Sequence, residues 1–87
     1  MAGPILPFWF KQRQCQAEPH GGDQTLKVSG PNLPEAYISV RNDGGRWLGA
    51  LRTQPDGPEV ATAEAEEPTE KAAWNAAFEL YRQHLIV

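Results

Sequence analysis

Toward the C-terminus the apolar positions fall into a helical rhythm. Ala73, Trp74, Ala77, Phe78, Tyr81 and Leu85 follow one another at intervals of one, three, one, three and four, which winds a wide apolar stripe along one side of a helix. Lys71, Asn75, Glu79 and Gln83 recur every fourth residue on the opposite side. Thr69 offers an N-cap hydroxyl directly after Pro68, so the pattern predicts a helix over residues 69–85. The small side chains of Ala73 and Ala77 would bring its axis close to the layer beneath, with Trp74, Phe78 and Tyr81 filling the flanks.

Upstream the period changes to two. Leu26 and Val28 alternate with Thr25, Lys27 and Ser29, and Ile38 and Val40 alternate with Tyr37, Ser39 and Arg41. "EVATAE" adds a short edge strand, and "PHGGDQ" and "QPDGP" are turns by composition. "GPNLPE" reads as a loop, because Pro31 and Pro34 have no N–H for a central ladder. "KQRQCQAE" reads as extended and polar. The first ten residues hold Ile5, Leu6, Phe8, Trp9 and Phe10, and Pro4 and Pro7 between them predict an extended arm. In so small a chain that apolar area is expected to lie over the domain's own core; the alternative is an arm that docks on a partner. The fold expected is α+β: a small antiparallel sheet of three to five strands packed on one C-terminal helix. Residues 1–87 form a single domain, with the arm at 1–10, the sheet region at 24–64 and the helix at 69–85.

The hairpin "AYISVRNDGGRWLGALRT" decides what the sheet displays. With Asp43-Gly44 as a two-residue turn, Arg41 faces Arg46 and Val40 faces Trp47. Trp47, Gly49 and Leu51 then join Ile38 and Val40 beneath the helix, while Arg41, Arg46 and Arg52 line the outer side. With Asp43-Gly44-Gly45 as a three-residue loop, the pairing slips by one and every side chain of the second strand changes face. That register lets Arg41 stack on an exposed Trp47, worth about 0.5–1 kcal/mol. Burying Trp47 is worth up to a few kcal/mol. Burial outweighs stacking, which favours Trp47 inside and the arginines outside.

Charge and cysteine content narrow the function classes. The formal net charge is −3, but residues 54–87 carry seven acidic groups against two basic ones. Glu64, Glu66, Glu67 and Glu70 suit the start of a helix, where the dipole favours negative charge. The single cysteine, Cys15, excludes an internal disulfide and points to the reducing cytoplasm. No apolar stretch approaches the ~20 residues of a membrane span, and "MAGPILPFWF" lacks the basic start and uninterrupted core of a signal peptide.

No constellation carries chemistry. His20 lies in a glycine-rich turn, and His84 lies where a helix C-terminus favours positive charge. Cys15 and His20 with Glu18 and Asp23 match no recognised metal-ligand spacing, and "HGGD" is not a phosphate loop. No enzyme activity, metal or cofactor is expected. The candidate contact residues are Arg41, Arg46, Arg52 and Tyr37 on the sheet and Phe8 and Trp9 on the arm. "GRWLGALRT", a turn and "TEKAAWNAAF" resemble in topology the arm-type domains of tyrosine recombinases, over roughly half the chain. That resemblance implies a sheet entering the major groove of DNA. The chain departs from it in the acidic segment from Gln54 onward, since phosphate binding calls for a basic surface. The expected function is therefore a noncatalytic protein-interaction or accessory module, acting through the open sheet face and the aromatic N-terminus. The alternatives are a nucleic-acid-binding sheet and an acidic inhibitor that occupies a basic groove of a partner protein.

Overall fold

The computed structural model describes residues 6–21, 24–31, 33–54 and 57–86. In chain order they form helix α1 (Phe8–Gln12), strands β1 (Gln16–Pro19), β2 (Thr25–Gly30), β3 (Leu33–Asp43), β4 (Arg46–Arg52) and β5 (Ala61–Glu64), and helix α2 (Glu70–Tyr81). A π-helical turn, Arg82–Ile86, carries α2 onward. The strands make one antiparallel meander in the order β1-β2-β3-β4-β5. The fold is α+β, with α2 laid across β3, β4 and β5 on one side of the sheet.

The apolar stripe of α2 meets the inner side chains of the strands. Ala73, Trp74, Ala77, Phe78 and Tyr81 are buried together with Val28, Ala36, Ile38, Val40 and Leu51. Thr69 caps the helix as its sequence position predicts, its Oγ1 accepting from the Ala72 N–H at 3.1 Å. Tyr81 is fully buried, and its hydroxyl donates to the Pro34 carbonyl at 3.0 Å.

Four local expectations are corrected. Phe8–Gln12 is a helix and not an extended arm, because Pro7 stands at the N-cap with ψ 152° and the helix needs no N–H from it. Successive residues on a helix point about 100° apart, so the three adjacent aromatics separate: Phe10 is fully buried, Trp9 half-buried and Phe8 76% exposed. Phe10 lies edge-on to Phe78 at 5.0 Å, which makes this segment part of the core. Pro4 and Ile5 of the expected arm fall outside the described residues.

Leu33, Pro34 and Glu35 belong to β3 and not to a loop. The β2–β3 ladder is irregular between Val28 and Gly30, and β4 ends at Arg52 opposite Tyr37, so the missing Pro34 N–H lies beyond the regular pairing. The sheet also begins earlier than residue 24, since Gln16–Pro19 pairs with β2. Pro55 and Asp56 of the "QPDGP" turn lie outside the described residues; Gly57 N donates to Gln54 O across them at 3.1 Å.

The hairpin takes neither expected register. Gly44 and Gly45 form the two-residue turn, with φ of 65° and 92°, and Asp43 pairs with Arg46. A turn that needs positive φ at both central positions costs least where both are glycine. Asn42 Oδ1 accepts from Gly45 N–H at 3.0 Å. Relative to the Asp43-Gly44 turn the pairing moves by two, which preserves the faces. Val40 therefore lies opposite Gly49 and Ile38 opposite Leu51, and Trp47 is half-buried at the rim of the core.

Candidate interaction surface

The outer face of the sheet follows directly from these registers. Glu18, Lys27, Tyr37 and Arg52 form one row across β1 to β4. Thr25, Ser39, Ala50 and Thr62 form the next, Arg41, Leu48 and Glu64 a third, and Asp43 and Arg46 close the hairpin end. The candidates Tyr37, Arg41, Arg46 and Arg52 thus share one surface. Phe8 and Trp9 do not join it; they sit on α1, whose Phe10 packs against α2.

The arginines are all engaged by carboxylates. Arg41 Nη1 hydrogen-bonds Glu59 Oε2 at 2.5 Å, and Arg52 Nη2 lies 3.6 Å from the same oxygen. Arg46 Nη1 is 3.7 Å from Glu64 Oε1, and Lys27 Nζ is 3.5 Å from Glu35 Oε2. The like-charge pair of Arg41 and Arg46 does not form, since Arg41 faces Leu48 and Arg46 faces Asp43. Between Arg41 and Arg52, Ala50 is only 1% exposed although it belongs to the outer face. Arg52 Nε is buried there without a hydrogen-bond partner among the described residues.

Sequence reasoning does not place Glu59, Glu64 or His20 on this surface. His20 N–H donates to Thr25 O, extending the β1–β2 hairpin, and its ring stands 4.9 Å from that of Tyr37. The signal for Glu64 lies in strand alternation, which puts it on the same side as Thr62. Glu59 precedes β5, and only the path of the β4–β5 connection brings it over two arginines.

Cys15 and His20, considered together as metal ligands, occupy different environments: Cys15 is buried in the core, and His20 is exposed. Among the described residues no group of three or more His, Cys, Asp or Glu side chains is arranged to hold a metal ion. Burial pushes the Cys15 thiol up, against the lowering effect of Arg13. Burial, and then the Cys15 charge, pushes the Tyr81 phenol up to about 12. The hydrogen bond from Arg82 holds the Glu79 carboxyl below its ordinary value.

No helix among the described residues is long and apolar enough to cross a membrane. No known protein family, curated protein or solved structure matches the chain.

Proposed function

We propose that this chain is a noncatalytic protein-interaction module that engages its partner through the open sheet face. The observation that carries the reading is the one-sided layering: α2 covers one side of a five-stranded sheet, while Tyr37, Leu48, Arg41, Arg46 and Arg52 line the other. The alternation of guanidinium and carboxylate groups there suits a mixed-charge protein surface, where complementarity sets register. It suits a phosphate backbone less, because Glu59 and Glu64 offset the positive charge. Exposed Phe8 adds an aromatic contact on the other layer. The lone thiol keeps the cytoplasm as the proposed compartment.

Capture from an extract of the native host, identification of the bound chain and titration of the purified pair test this reading. Replacing Arg41, Arg46 and Arg52 by Gln should weaken binding about tenfold or more, with a melting temperature within about 4 °C of the parent. A collapse of stability would make the arginines structural. Unchanged affinity in a well-folded variant would move the contact to another surface.

A further inference from the structure

A second surface lies on the far side of β5. A groove of about 500 Å³ runs between this edge strand and the flank of α2. Its helical wall is mixed, with Ala72, Ala76 and Leu80 forming an apolar strip beside the polar Asn75, Glu79 and Gln83, and Ala63 of β5 faces it. Glu66 and Glu67 stand at its rim. Glu64 and Glu79, which also border it, are occupied by Arg46 and Arg82, whereas Glu66 and Glu67 have no ion-pair partner among the described residues. No basic residue lines the groove among those described.

The strand bordering the groove is ready for pairing. Ala65 N–H donates to Trp47 O at 2.9 Å, which makes residues 61, 63 and 65 the ones that exchange bonds with β4. Thr62 and Glu64 therefore direct their N–H and C=O groups to the free edge. Residues 61–64 contain no proline and no lysine, two devices that commonly blunt such an edge. From Ala72 to Leu80 the helical wall extends about 12 Å, the length of about four residues of strand.

We propose that this groove receives an extended, lysine- or arginine-bearing segment of a partner protein, added to β5 as a sixth strand. Main-chain bonds to Thr62 and Glu64 hold the segment. Its inward side chains rest on Ala72, Ala76 and Leu80, and its cations meet Glu66 and Glu67. A second copy of this chain fits poorly. Pairing β5 with β5 would bring the two acidic rims together, and the opposite edge, β1, carries Glu18 and Pro19.

The test is titration of the full chain with two synthetic peptides of about eight residues, one alternating Lys and Val and the other Glu and Val, followed by amide NMR. The Lys-Val peptide should bind with salt-sensitive affinity and perturb and protect the amides of Thr62 and Glu64. Glu66→Gln with Glu67→Gln should weaken it about fivefold. Thr62→Pro should abolish binding while leaving the β4–β5 bonds in place, and should the variant not fold, the Thr62 and Glu64 amides of the parent chain decide. Arg41→Gln with Arg52→Gln should leave binding unchanged, which separates this site from the outer face. Absence of binding, equal binding of the Glu-Val peptide, or perturbation confined to the outer face would overturn the proposal.

Discussion

Gly49 of β4 lies directly beneath Ala77 of α2. A Cβ built on Gly49 would stand 2.7 Å from the Ala77 backbone nitrogen and 2.9 Å from the Ala73 carbonyl oxygen. Both obstacles are helix backbone, which cannot swing aside as a flexible side chain would. The helix rests on the sheet at a point where neither element has anything larger than a methyl group. Gly49→Ala should therefore destabilise the fold by about 1–3 kcal/mol through overpacking. Each kcal/mol corresponds to a drop of about 4–8 °C in melting temperature for a domain of this size. Thermal unfolding followed by circular dichroism measures it, and an unchanged melting temperature would show that the helix can lift away freely.

The two halves of that contact are not equally legible in the chain. Ala73 and Ala77 stand out in the sequence, because small residues interrupt a stripe of large ones at helical spacing. Gly49 shows its role only once the hairpin is in register. Asp43, Gly44 and Gly45 allow more than one turn, and only the positive φ of both glycines selects among them. The faces are nevertheless assigned correctly, because the observed register differs from the favoured one by an even number of residues. The N-terminal helix escapes the pattern for a different reason. Pro7 suggests a bar to helix formation, although proline is harmful inside a helix and harmless at its start. On the outer face the arginines are visible in strand alternation. Their neutralisation by Glu59 depends on a connection whose path no periodicity encodes.

Tyr81 should govern part of the alkaline limit of stability. Its folded pKa of about 12 exceeds the ordinary value of 10, chiefly through burial. The folded chain holds this proton more tightly than the unfolded one. Its contribution is therefore complete below about pH 10 and is lost as the pH rises toward about 12. The buried Cys15 thiol, also raised, acts in the same direction. Tyr81→Phe removes the phenol and its bond to Pro34 O, which should cost about 1 kcal/mol at neutral pH. The variant should then lose stability less steeply than the parent above about pH 10 in urea titrations. An equally steep loss would assign the alkaline limb to other groups.

Gln14 closes α1 in the left-handed conformation, with φ of 59°. Its N–H donates to Lys11 O at 3.0 Å, and the Cys15 N–H donates to Phe10 O at 3.1 Å. Those two bonds form a Schellman cap, with buried Phe10 and Cys15 supplying its apolar contact. Glycine adopts this conformation without the steric penalty a Cβ brings. Gln14→Gly should thus stabilise the chain by about 0.5–1 kcal/mol, seen as a higher urea midpoint at unchanged slope. A lower midpoint would mean that the Gln14 side chain supplies more than its backbone strain costs.

The carboxylates over the arginines should determine how the outer face treats nucleic acid. Arg41 and Arg52 share Glu59, and Arg46 has Glu64, on a chain of formal net charge −3. Glu59→Gln combined with Glu64→Gln leaves all three guanidinium groups in place and removes their counter-charges. Exposed ion pairs contribute only about 0–1 kcal/mol each, so the double variant should melt close to the parent. The parent should not be retained on double-stranded DNA in a low-salt gel. The variant should show weak retention, and with three arginines on phosphate the logarithm of its affinity should fall with log salt at a slope of about −3. Retention of the parent itself would show that Glu59 and Glu64 do not neutralise this surface, and would favour the nucleic-acid alternative over a protein partner.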